Sequence, residues 1–249
     1  MNLNNPNTMK KLFFPIAMLL LVLASCSNEV GIKSYSLNDS ILIESEFGDG
    51  YSHYNVSLDL PSTHNKTLRK SILHWMVSEE TVKPAKHYEM ARDSFFANEG
   101  SWPRSEYSEN FTLTEQTDKY VTYTNEGYEY TGGAHARPWY NGTTFSKVDG
   151  SIVGYDLFED PEQLIDIIAE NIETQYFMKN DDEDFITEYE EINALPANEP
   201  WIETDSVVFC FQPYEIASFA AGMPLCKIAL TDLKPYLSEK GKSLLNEGK

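Results

Sequence analysis

The chain has 249 residues, 19 Lys and Arg against 39 Asp and Glu, and a formal net charge of −20 at pH 7. That excess of acid excludes nucleic acid as a partner, because such affinity comes from cationic neutralisation of phosphates. It also disfavours a surface that lies against anionic lipid, and it steers a basic protein toward the molecule.

Lys10 and Lys11 form a basic region, Leu12 to Leu23 an apolar run, and Ala24-Ser25 a small-residue stop before Cys26. This order is that of a secretory signal peptide, too short and wrongly flanked for a spanning helix. An ordinary signal peptide with a chance cysteine is one reading. The other is the bacterial lipobox, which the stretch resembles. The lipobox implies removal of residues 1–25 and lipidation of Cys26, detectable as palmitate. The membrane is then a partner through the lipid anchor, and the chain is tethered in the bacterial cell envelope rather than spanning it. Ser27 follows the cysteine where Asp would favour the inner membrane, so the pattern points to the outer one. Without Lys10 and Lys11, 17 basic residues face 39 acidic ones, a net −22.

The remaining length suits one ordinary domain or two small ones. Ser27 to Lys33 reads as a tether. Ile41–Ile43 and Tyr54–Leu60 read as strands around a Gly48-Asp49-Gly50 turn. Asn65 is placed to cap a helix with Leu68, Ile72, Trp75 and Met76 on one face, and Pro84 to open a second with Tyr88, Ala91 and Phe95 inward. From Asn110 the pattern turns to β: Asn110–Glu115, Lys119–Tyr130, and Thr143–Ser146, the last leading through Asp149-Gly150 into Ser151–Val153. Tyr155-Asp156-Leu157-Phe158 follows. Asp160-Pro161-Glu162-Gln163 opens a helix with Leu164, Ile165, Ile168, Ile172 and Tyr176 buried. Asn180 to Asp184 lacks the order of a calcium loop and reads as a solvated turn. Ser206–Gln212 and Leu225–Leu230 are strands, and Thr231-Asp232 caps a last helix. Strands interrupted by a few long helices indicate an α+β fold with a mainly antiparallel sheet and packed helices.

The stretch that stands apart is Tyr128 to Phe145. Gly132 and Gly133 supply φ freedom, but no Lys-Ser/Thr follows to make a phosphate loop. His135 has no companion at metal-ligand spacing, so neither a metal nor any other cofactor is called for. Its two readings are a hydrogen-bonded structural residue and a general base or ligand. Among carboxylates, Glu129 and Glu215 flank the aromatic regions and are the pair to test for glycoside hydrolysis. Arg137, Trp139 and Tyr140 form an exposed flank of the types that anchor interfaces, against the alternative of core packing. Cys210 and Cys226 lie in strand-like runs that suit either a disulfide or two buried thiols.

Taken together, Tyr130-Thr131-Gly132-Gly133-Ala134-His135, Phe145, Gly150, Asp156-Leu157-Phe158, Phe209-Cys210-Phe211-Gln212-Pro213-Tyr214-Glu215-Ile216-Ala217 and Gly222 resemble the extracytoplasmic domain of RsiV-type lysozyme-sensing anti-sigma factors. They also resemble the domain attached to PdaC-type peptidoglycan deacetylases. The resemblance is strongest from Asn110 to Leu237. It implies two subdomains, a variable one at 34–105 and the RsiV-like one at 106–249. It implies a non-catalytic, envelope-facing module that, in the sensor branch, binds lysozyme; the acidic charge and the aromatic stretch suit a module that binds a basic muramidase such as lysozyme, or peptidoglycan. No sigma-binding or deacetylase segment accompanies it, and Arg137-Pro138-Trp139 departs from the neutral loop expected there. The alternatives are a peptidoglycan-acting enzyme using His135 and carboxylates, and a structural envelope protein.

Overall fold

A computed structural model describes residues 29–46, 48–78, 83–98, 102–177 and 189–245. The leader, Cys26 and the acidic run 180–184 lie outside the described residues. The fold is mixed α and β, with a six-stranded, mostly antiparallel sheet and a separate three-stranded sheet.

The large sheet takes its strands in sequence order: β1 (Gly31–Ile43), β2 (Gly50–Ser62), β3 (Glu106–Gln116), β4 (Tyr120–Tyr130), β5 (Arg137–Ser146) and β6 (Ile152–Val153). Only β2 and β3 run parallel. A parallel pair needs a crossover, and α1 (Lys66–Val77) with α2 (Pro84–Ala97) provides it. Asn65 caps α1 as expected, accepting from the Leu68 amide at 3.1 Å. Leu68, Ile72 and Met76 are buried along α1, and Tyr88 and Phe95 along α2. They meet Val56, Leu58, Phe111, Val121, Tyr123 and Phe145 in one core on this face of the sheet.

The second unit packs on the opposite face. Its sheet is β7 (Trp201–Glu203), β8 (Ser206–Cys210) and β9 (Leu225–Ala229). Strand alternation divides the side chains. Ile202, Val207, Phe209, Cys226 and Ile228 join Ile168 and Ile172 of α3 (Ile165–Ile172) in a second core. Trp201, Val208 and Cys210 turn the other way, toward Tyr140 of β5. The layers are therefore helices, large sheet, small sheet, helix. The chain closes with α4 (Leu230–Leu233) and α5 (Glu239–Leu244).

Several expectations are corrected. The tether ends early, because Gly31 to Lys33 already pair with Ser62 to Leu60. A boundary at 105/106 does not separate two cores: His53 pairs with Glu106 across it, and β3 to β5 share the helix-side core with β1 and β2. Tyr155–Leu157 forms a 3-10 turn. Pro161–Leu164 is also 3-10 before α3 begins, and the Asp160 carboxylate accepts from the Gln163 side chain at 2.9 Å instead of capping the backbone. Thr231 and Asp232 lie inside α4, while the last cap is Ser238, which accepts from the Gly241 amide at 3.1 Å. β7 was not expected, because Trp201 follows a Pro-bounded loop.

Cys210 and Cys226 sit on neighbouring strands, but Phe209, not Cys210, stands opposite Cys226. The two thiols thus leave opposite faces of the small sheet, and side chains pointing apart cannot bridge. Both are free and buried, and burial pushes each thiol up to about 12. The disulfide alternative is set aside.

Candidate functional site

The β4–β5 connection builds one wall of a groove. Gly132 and Gly133 have φ of +102° and +101°, and a Cβ at either would meet open space. The requirement there is left-handed backbone, not room. The Tyr130 hydroxyl donates to the Gly133 carbonyl at 3.1 Å and closes the turn. β5 then starts at Arg137, so the Arg-Pro-Trp-Tyr flank is strand rather than loop.

That strand assignment splits the expected recognition surface. Residues 137 and 139 share one face and residue 140 the other. Trp139 packs over Gly127, its cross-strand partner, and lies 5.8 Å from the Tyr107 ring. Tyr140 packs edge-on against buried Trp201 at 5.6 Å, and burial raises its pKa. It is part of the inter-sheet core and is withdrawn from the surface set. Arg137 forms a cross-strand ion pair with Glu129; its side chain is 79% exposed. A pair so exposed contributes little stability.

The opposite wall comes from the segment after β8. Here Pro213-Tyr214-Glu215 makes a tight turn with Tyr214 at φ +70°, 67% exposed. A bulky residue held there is strained unless its surroundings fix it. Glu215 does so: its carboxylate accepts from the Gln212 amide at 2.7 Å and the Ala197 amide at 2.6 Å. Glu215 is absent from the groove lining, and both its oxygens are engaged. Its role is a structural clip, which corrects its candidacy as a catalytic carboxylate. The Gln212 side chain in turn donates to the Tyr140 carbonyl at 2.9 Å, fastening this segment to the open edge of β5.

His135 and Phe219 bring the walls together. Their rings stack at 3.7 Å, 16° from parallel. His135 Nδ1 lies 3.1 Å from the Ala136 carbonyl, which calls for a proton on Nδ1. Nε2 is then an acceptor, 3.4 Å from the Tyr214 hydroxyl. The result is a groove of about 570 Å³ lined by His135, Trp139, Tyr214, Phe219 and the Glu129–Arg137 pair. Its size and its aromatic lining with a few polar groups match small-ligand sites in general. No cluster of three His, Cys, Asp or Glu suits a metal among the described residues.

Phe219 is not legible in the sequence, since it belongs to no catalytic pattern, and Gln212 is legible only as part of the second motif block, without a role. The usable signal was the pairing of two blocks, Gly-Gly-Ala-His and Pro-Tyr-Glu-Ile, which the fold places face to face.

Comparison with known proteins covers the second of these blocks. Residues 155–230 match the family model described as "Protein of unknown function (DUF3298)". No curated protein matches. A DUF3298-family crystal structure from Bacteroides fragilis is similar in fold, with a TM-score of 0.70 and 14% identity, over 88% of this chain and 98% of that one. A second, from Pseudomonas aeruginosa, has a TM-score of 0.60 and 17% identity, over 84% and 95% of the two chains. The chain thus carries a DUF3298 domain at residues 155–230, set in a fold it shares with both of those proteins.

Proposed function

We propose that the chain is an envelope-anchored lipoprotein, lipidated at Cys26, that binds cell-wall glycan in the groove between the His135 turn and the Tyr214 turn. The observation that carries this reading is the His135–Phe219 stack beside an exposed Tyr214 held at φ +70°. A pyranose presents apolar C–H faces and a rim of hydroxyls. Flat rings serve the faces; Arg137, Glu129 and the Tyr214 hydroxyl serve the rim. Strained backbone at a presented side chain is typical of sites where presentation matters. Glu215 acts one step removed, by holding the turn that displays Tyr214.

Co-sedimentation with purified sacculi tests it. The wild-type chain is expected in the pellet. The double variant Tyr214→Gly, Phe219→Ala is expected in the supernatant, glycine being suited to the positive φ. Equal pelleting of wild type and variant, or no pelleting of either at low salt, sinks the glycan reading. Release of soluble fragments that stops in His135→Ala would replace it with an enzyme. The net charge of −20 supports a second reading, capture of a basic muramidase. Titration with lysozyme separates the two: heat that salt abolishes and the double variant retains belongs to charge, not to the groove.

A further inference from the structure

The average charge conceals a concentrated exception. A groove of about 810 Å³ runs between the end of β2, the outer face of α1 and the start of α2. Among the described residues its lining contains Lys33, Lys66, Arg69, Lys70 and Lys83, together with His74, and no Asp or Glu. In a chain with 39 acids and 19 bases, five cations and no acid among the described lining residues is a marked segregation of charge. All five cations are exposed. Lys33, Lys66, Arg69 and Lys83 form no ion pair among the described residues.

Three elements converge to build it. Lys33 stands opposite Leu60 in the β1–β2 ladder. Lys66, Arg69 and Lys70 are spaced i, i+3 and i+4 on α1, which stacks them on one helix face. Lys83 immediately precedes α2. Like charges at i, i+3, as at Lys66 and Arg69, repel. They also crowd the N-terminal half of a 12-residue helix whose first turn holds no acid, where the helix dipole is already positive. A bound anion relieves both effects. Leu60 and Leu73 add apolar surface to the lining.

We propose that this groove binds a phosphate group, either that of an anionic phospholipid headgroup or that of a soluble phosphate, with Lys33, Lys66, Arg69 and Lys83 as its ligands. The proposal is independent of the aromatic groove. It also revises the expectation that net acidity keeps every surface off anionic lipid, since the local field is basic.

The full chain is titrated with tripolyphosphate by calorimetry at low salt. It is also sedimented with vesicles of phosphatidylglycerol and phosphatidylcholine, and with phosphatidylcholine alone. Binding to tripolyphosphate identifies a soluble phosphate ligand; retention on phosphatidylglycerol vesicles without it identifies the headgroup. In either case Lys66→Gln, Arg69→Gln weakens binding roughly 30-fold, the scale of two cations near an anionic surface. The charge-matched control Lys227→Gln, Lys242→Gln leaves binding unchanged. Lys33→Gln, Lys83→Gln, drawn from other elements, repeats the loss should the first pair disturb α1. Absence of binding to both probes, or equal loss in the control, overturns the site.

Discussion

The two faces of β5 make the sharpest contrast in the molecule. On the helix side, Thr143 and Phe145 look into an apolar core where Phe145 meets Trp75 edge-on at 5.9 Å. On the other side, Tyr140, Gly142 and Thr144 meet the small sheet. There Gly142 has no side chain because a Cβ would enter the Trp201 ring. Thr144 Oγ1 accepts from the Ile202 amide at 2.9 Å and contacts Thr122 Oγ1 at 2.9 Å. One face is held by area and the other by fit. Area tolerates small shifts; a glycine–indole contact and a buried hydroxyl fix the register of two sheets. That register also positions the Tyr214 wall of the aromatic groove against the His135 wall.

Substitutions on the fitted face test this contrast. Trp201→Ala should have the largest effect. It empties the contact over Gly142 and is expected to cost about 3–5 kcal/mol in denaturant unfolding, with loss of sacculus binding if the inter-sheet register sets the groove. Phe145→Ala, of similar stability cost, should spare binding in the folded fraction; an equal loss of binding in both variants would erase the distinction between the faces. Thr144→Val comes next. It preserves shape but strands the Ile202 amide, an expected cost of about 1–3 kcal/mol, read from the unfolding midpoint at constant m-value. The smallest effect belongs to the cysteines. Because they leave opposite faces of the small sheet, a thiol reductant should not move the unfolding midpoint; a bridge closing this loop would contribute about 3 kcal/mol, so a clear drop on reduction would contradict the alternation.

Much of the local structure was legible. Asn65 and Pro84 marked two helix starts because their chemistry is local: an amide oxygen within reach of an orphan N–H, and a ring that fixes φ. Gly132 and Gly133 announced a positive-φ turn for the same reason. Less local readings failed. Arg137, Trp139 and Tyr140 looked like one surface, but a strand alternates, and only the ladder Glu129 to Arg137 through Gly127 to Trp139 revealed that β5 begins so early. β7 was invisible because three residues carry too little pattern to outweigh the prolines before them.

The sequence by itself determined the acidic average, the leader-like segment and lipobox-like cysteine, the α+β class and the pairing of two diagnostic blocks. Each of these is composition or short-range stereochemistry, which the chain carries wherever it folds. Only the tertiary structure decided that Glu215 clips a turn, that Phe219 completes the His135 stack, that the cysteines face apart, and that five cations share one groove. Those are relations between residues distant along the chain, set by sheet register and layer packing, and no local rule encodes them.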